Sequence, residues 1–282
     1  MGSKLMMTPE DIQTSFETVR AHDPDRYLTA LMAPRRVRES LMALYAFNTE
    51  LARIHSLVTE PALGEFRLQW WRDVLQQMDG EASLGAPVAD ALDMAISTHG
   101  LPKPVLLGMI DARSTDLDGG GFPDLQALKA YLYKSEGAVF ALSARFLGAD
   151  NAETLRAANA AGLAFGLTNL LRMLARDLAA GRVMLPLSLL DAQSIQVEQL
   201  LAGKGAADLK PVIEALAGEV RTARDEARQQ LAPLEPSVRP AFAPLALVEP
   251  YLKTLEKPNH RALQDIADIN PLVRFWNLWR AS

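Results

Sequence analysis

Four histidines, His22, His55, His99 and His260, are the side chains in this sequence best suited to moving protons or holding a transition metal near neutral pH. They stand apart from one another and match neither HExxH nor a comparable ligand spacing, so no histidine metal site is expected. His55 falls on a long helical pattern, where a packed or surface imidazole competes with a functional one. Serines and threonines occur without a GxSxG elbow, and no glycine loop matches a P-loop or dinucleotide fingerprint. The absence of cysteine removes thiol catalysis, thiolate zinc sites and disulfide scaffolds together. What remains is a cationic and polar run, Gly166-Leu167-Thr168-Asn169-Leu170-Leu171-Arg172-Met173-Leu174-Ala175-Arg176-Asp177, followed by Gly181-Arg182-Val183-Met184-Leu185-Pro186.

The elements that must position these residues read as helices nearly everywhere. Thr8-Pro9-Glu10-Asp11 supplies an N-cap, a proline at the first helical position and two acids for the positive helix end, opening a helix towards Arg20. Beyond Pro34, Val37, Leu41, Leu44, Tyr45, Leu51, Ile54 and Val58 follow helical steps, predicting one helix of about six turns. Leu63, Phe66, Trp70, Val74 and Met78 continue the spacing to Gly80, with Trp71 and Leu75 widening the stripe. Helices are predicted over 87–99, 102–117, 125–147 with a bend near Gly137, 151–180, 197–202, 209–231, 236–255, 261–266 and 271–279, with a loop at 118–123. The segment 151–180 is crowded with Ala157, Ala158, Ala160, Ala161, Gly162, Ala164 and Gly166, which would let a neighbouring helix or a long apolar ligand approach closely. No strand alternation, repeat or linker is visible, so residues 1–282 read as a single all-α domain.

Composition bounds the function. The chain has 282 residues and a net charge of −5, with no basic run longer than Arg35-Arg36, so nucleic acid is not the expected partner. Charged residues make up 22%, which argues against disorder. The segment Met1-Gly2-Ser3-Lys4-Leu5-Met6-Met7 lacks an apolar signal core, and Met6 stands where an N-myristoylation signal would want Ser or Thr. No apolar window is long enough to span a bilayer, so the expected compartment is the cytoplasm, with peripheral membrane association left open.

The run 166–186, together with residues 124–136, Tyr133-Lys134-Ser135-Glu136-Gly137-Ala138-Val139, and residues 27–34 leading to Tyr45-Ala46-Phe47, resembles the squalene and phytoene synthase family of head-to-head prenyltransferases. The resemblance extends from about Pro24 to about Leu190. It implies an isoprenoid-synthase fold, a helical bundle around a deep central cavity. In active members two DxxxD-type motifs face each other and hold Mg²⁺ ions that bind substrate diphosphate. Carboxylates at i and i+4 share a helix face and converge on a hard cation.

Laid on this chain, the first motif puts its acids at Ala52, Arg53 and Ser56, and the second at Met173, Arg176 and Asp177. Five of the six acids are missing and two positions are arginine. No register shift rescues the first motif, because Glu50 and Glu60 are the only acids between Glu39 and Glu65 and lie ten residues apart. Asn48-Thr49-Glu50-Leu51-Ala52-Arg53, Glu60-Pro61 and Arg67-Leu68-Gln69-Trp70-Trp71-Arg72-Asp73 resemble a divergent branch of the family, which includes the mitochondrial complex I assembly factor of squalene/phytoene synthase type.

Three readings follow from the resemblance. The leading one is a non-catalytic relative with a respiratory-complex assembly or lipid-binding role, a membrane-associated protein partner and no cofactor. The second is a working transferase that joins farnesyl or geranylgeranyl diphosphates with Mg²⁺, Asp177 being its one family-matched ligand. In the third, Arg53 and Arg176, with Tyr45, Asn169, Arg172 and Arg182, hold an isoprenoid diphosphate or anionic lipid directly through guanidinium forks. Against that stands a structural role in which Arg176 pairs with Asp177 or Glu50. Finally, Leu272, Phe275, Trp276 and Trp279 form an apolar stripe on a carboxy-terminal helix that could dock on its own domain, a partner or a membrane.

Overall fold

A computed structural model describes residues 7–203 and 209–282; residues 1–6, on which the amino-terminal expectations fall, lie outside it. The first helix, α1 (Pro9–His22), starts where the sequence places it: the Thr8 hydroxyl accepts from the Asp11 N–H while the Asp11 carboxylate accepts from the Thr8 N–H. A short helix the periodicity missed, α2 (Pro24–Met32), follows at once. Asp23 ends α1 and caps α2, with Pro24 at the first helical position, so the two helices share one turning residue. The predicted six-turn helix is α3 (Arg35–Arg53), and its last turn tightens into a 3₁₀ turn over Ile54–Leu57 that carries His55.

In α4 (Pro61–Gln77) the buried side is Gly64, Leu68, Trp71, Val74 and Leu75. The predicted stripe is therefore rotated, and Leu63, Phe66 and Trp70 face outward. Gly64 sets this orientation, because a Cβ there would lie 2.4 Å from a Leu117 methyl. Next come α5 (Pro87–His99), α6 (Lys103–Ala112) and α7 (Ser114–Asp118), the last two replacing one predicted helix. The bend expected near Gly137 is a single π-helical turn, Tyr133–Gly137, between α8 (Leu125–Leu132) and α9 (Ala138–Phe146).

The longest helix, α10 (Ala152–Ala179), runs through the middle and packs against α9, the π turn and the later helix Lys210–Leu231. Short helices α11 (Leu187–Ala192), missed from sequence, and α12 (Val197–Leu201) lead to α13 (Lys210–Leu231). Predicted helix 236–255 is a 3₁₀ segment, Pro236–Leu247, continued by α14 (Val248–Leu255), because Pro240 and Pro244 lack the N–H groups an α-helix needs. Residues 261–266 do not form the expected helix. The Asp265 carboxylate instead accepts from the Arg261 N–H and its guanidinium, a side-chain turn that competes with helical pairing. The chain ends in α15 (Pro271–Ala281).

One apolar cluster joins residues from α1 to α14, while Ala243, Leu247, Tyr251, Ile269 and Leu278 form a smaller one beneath α15. Among the described residues there is no strand beyond an isolated bridge between Phe122 and Pro186, and no helix is long and apolar enough to cross a membrane. The small residues of α10 serve close packing: a Cβ on Gly162 would lie 2.3 Å from the Gly137 nitrogen, and one on Gly166 would lie 2.6 Å from a Leu132 methyl. Gly162→Ala is therefore expected to force the π turn away from α10 and destabilise the protein by about 1–3 kcal/mol. Urea unfolding monitored by circular dichroism measures that loss, and an unchanged midpoint would show that the contact yields without cost.

Candidate functional site

A cavity of about 510 Å³ opens between α2, α3, the π turn, α10 and the strap 256–270. Its lining includes Ala52, Arg53, Ser56, Asn169, Arg172, Met173, Arg176, Asp177 and Arg182, so the positions singled out in the sequence do converge. Tyr45 is the exception: it is buried behind the wall, its hydroxyl accepting from Ser143 at 3.3 Å and its ring 5.7 Å from the Arg26 guanidinium.

The inner wall is an ion-pair chain that draws on α2, α3, α7, α8, the π turn and the junction of α6 with α7. Arg26 on α2 donates to its own cap residue Asp23 at 3.1 Å and to Glu136 on the π turn at 2.5 Å. Arg113, between α6 and α7, lies 3.7 Å from the other Glu136 oxygen and donates to Asp116 at 3.2 Å, Tyr131 at 2.6 Å and Asn48 at 3.1 Å. Burial would push the Glu136 carboxyl up, but Arg26 and Arg113 outweigh it and hold the carboxyl below its ordinary value. Burial raises the Tyr131 phenol, which stays protonated and donates to Asp116 at 2.8 Å.

A second wall gathers around Asp25. Its carboxylate accepts from Arg274 at 2.6 Å, Tyr251 at 2.8 Å and Arg172 at 3.3 Å. Arg172 also donates to the Ala267 carbonyl at 3.0 Å and the Asn169 side chain at 2.9 Å, and its guanidinium lies 3.5 Å from the centre of the Tyr251 ring. Arg274 completes the wall by donating to Asp268 at 2.6 Å. Arg172 is thus a structural tie that fastens the strap to α10.

At the mouth, Asp177 is engaged by Arg182 at 2.6 Å. The pairing expected of Arg176 is taken by Arg182 instead, and neither Arg176 nor Arg53 has a carboxylate partner among the described residues. Ser56 spends its hydroxyl on the Arg53 carbonyl at 2.7 Å. Burial, then the Arg182 charge, push His55 down to about 4, and its buried Nδ1 has no partner. His22 is lowered by burial and by Arg53.

These residues do not fit a pair of Mg²⁺ ions. Six acids line the cavity, Asp23, Asp25, Asp116, Glu136, Asp177 and Asp268, and each is already held by an arginine. Among the described residues no group of three or more His, Cys, Asp or Glu converges as a metal site. Sequence reasoning missed Arg26, Arg113, Glu136, Asp25 and Arg274. The one available hint was Glu136 inside the quoted segment 133–139.

Arg26→Met leaves Asp23 unpaired and Glu136 with the more distant Arg113 alone, and is expected to cost about 3–5 kcal/mol in urea unfolding. Glu136 has a depressed folded value, so its contribution is complete above the ordinary carboxylate range and is lost as pH falls through that range to the lowered value. Glu136→Gln should flatten this acid limb; an unchanged limb would assign the acid sensitivity to other carboxylates.

The family model described as squalene/phytoene synthase matches residues 19–276. NADH dehydrogenase (ubiquinone) complex I, assembly factor 6, from Rattus norvegicus is 27% identical over 276 residues, covering 96% of this chain and 83% of that protein. A phytoene synthase from Thermus thermophilus is 30% identical over 216 residues, covering 75% of this chain and 71% of its own length. The structure of squalene synthase HpnC from Alicyclobacillus acidocaldarius superimposes with a TM-score of 0.74 at 21% identity, covering 88% of this chain and 95% of that one. The all-α isoprenoid-synthase architecture anticipated from the sequence is therefore the observed fold. With a match that runs from α1 into α15 and a cavity at the expected place, this chain belongs to the squalene/phytoene synthase family.

Proposed function

We propose that this protein is a non-catalytic member of its family whose cavity binds a phosphate- or diphosphate-headed lipid without metal, in support of assembling a respiratory complex at a membrane. One observation carries the reading: every cavity acid is engaged by an arginine, while Arg53 and Arg176, at positions where active relatives are expected to carry acids, have no ion-pair partner among the described residues. Coupling two prenyl diphosphates needs positive charge held on the departing diphosphate, which Mg²⁺ supplies only where carboxylates are free to ligate it. Guanidinium forks bind phosphate oxygens directly but offer no bound water or open metal position. The assembly role is supported by the likeness to the rat complex I assembly factor.

The cavity volume of about 510 Å³ suits a headgroup and the first part of a tail, within the ~300–1,000 Å³ of small-molecule pockets. Leu132, Leu170, Met173, Met184 and Ile266 supply its apolar lining. A lipid reaching this site from a bilayer would be handled from the aqueous side.

Calorimetric titration with farnesyl diphosphate, a short-chain phosphatidic acid and inorganic pyrophosphate, each with and without Mg²⁺, tests the reading and separates prenyl, phospholipid and free-phosphate sources. Binding is expected without Mg²⁺, with Arg53→Glu and Arg176→Glu each weakening it about tenfold or more. Heat in neither condition, or heat only with Mg²⁺, would overturn it, as would multiple-turnover diphosphate release from farnesyl or geranylgeranyl diphosphate. An independent readout is the His55 ring: its midpoint, pushed down to about 4 by burial and Arg182, should rise in an NMR titration when an anion offsets the neighbouring arginine charge. Stability should also fall as pH drops from the imidazole's ordinary 6.5 towards 4, because the unfolded chain binds the proton that the folded one refuses.

A further inference from the structure

From the orientation of α15 and the charge beside it, we infer that this end of the molecule is a docking surface for an anionic phospholipid bilayer. The helix is attached by its less apolar side: Arg274 reaches Asp25 and Asp268, and Leu278 is fully buried with Tyr251 and Leu247. The stripe that sequence periodicity would turn inward is turned out. Leu272, Val273, Phe275, Trp276 and Trp279 are 78%, 43%, 50%, 54% and 57% exposed. They make up five of the thirteen large apolar side chains exposed among the described residues, gathered on one helix. The two indoles lie together, their ring centroids 5.3 Å apart.

Beside this face, a groove of about 720 Å³ between α13, α14, the strap and α15 is lined by the cations Arg228, Lys253, Lys257 and Arg280 against the acids Glu249 and Asp268. Both acids are already engaged, Glu249 by Arg224 and Asp268 by Arg274. Lys257 and Arg280 have no carboxylate partner among the described residues. A locally positive groove on a chain of net charge −5 complements anionic headgroups at the level where exposed tryptophans enter the bilayer interface. A second copy is a poorer occupant, because a twofold contact through this face would bring the same cations of two protomers together. The face is also preformed, since Arg274 and the small apolar cluster hold α15 in place, so docking does not have to order it.

Flotation of the full chain with vesicles of phosphatidylcholine alone or mixed with phosphatidylglycerol tests this surface. Binding is expected to the mixed vesicles only and to weaken as salt rises. The pairs Trp276→Ser with Trp279→Ser, and Lys257→Glu with Arg280→Glu, should each weaken it about tenfold or more while circular dichroism stays unchanged. No flotation, equal binding to neutral vesicles, or binding indifferent to both pairs would overturn the inference. So would a dimer in size-exclusion chromatography that the tryptophan substitutions dissolve, since that outcome assigns the face to a second copy.

Discussion

Glu136 is held between two guanidinium groups from different parts of the chain, Arg26 at the start of α2 and Arg113 between α6 and α7. Much of the cavity depends on this arrangement. The carboxylate can stand there only because the helix is widened by a π turn at Tyr133–Gly137, and that turn can lie against α10 only because Gly162 and Gly166 have no side chains. Three local irregularities, a π turn, a pair of glycines and a shared cap at Asp23, therefore place one half-buried acid. Such a network contributes little net stability compared with a well-packed apolar core, because desolvation consumes most of the Coulomb gain. What it fixes is geometry, since any element that moved would leave a buried charge unpaired.

The same accounting explains what the cavity has become. A metal site needs carboxylates whose oxygens are free and convergent. Here each cavity acid faces an arginine at hydrogen-bond or ion-pair distance, and the positions where active relatives are expected to supply ligands carry Ala52, Arg53, Ser56, Met173 and Arg176. Asp177, the one family-matched acid left, bonds to Arg182 five residues later, so its charge is consumed within the turn that ends α10. Two arginines are left over; His55 is lowered first by its burial, then by Arg182 and, to a smaller extent, by Arg176. The cavity therefore presents two uncommitted guanidinium groups and no uncommitted carboxylate.

Most helices were legible in the sequence because the signals that start them are local. Thr8 with Asp11, Asp124 and Asn151 each accept the backbone hydrogen bond their position implies. Of the features that were not legible, three show the physical reasons most plainly. The helix Pro24–Met32 is only nine residues long, so it has too few turns to show a period. The stretch Pro236–Leu247 has helical composition, but two prolines deny it α-helical pairing. The ion pairs of the cavity join residues far apart in the chain, Arg26 with Glu136 and Asp25 with Arg274, and nothing in one sequence says that those charges will meet. The positions of the missing family acids were legible through resemblance, whereas the arginines that neutralise the remaining acids were not.

The carboxy-terminal helix marks the limit of periodicity as a guide. Leu272, Phe275, Trp276 and Trp279 make a stripe of the kind that normally faces a core, and Arg274 lies off it. The folded chain inverts that arrangement because Asp25, nine-tenths of the chain away in sequence, is a buried carboxylate that Arg172 alone does not satisfy. Arg274 supplies the closer contact, 2.6 Å against 3.3 Å for Arg172. The Arg274 pair with that carboxylate and the burial of Leu278 in the small apolar cluster together set which side of α15 faces in, and the aromatic stripe is left in solvent. The helix thus belongs to two surfaces at once: its inner side closes the cavity wall, and its outer side carries the largest group of exposed aromatic side chains among the described residues.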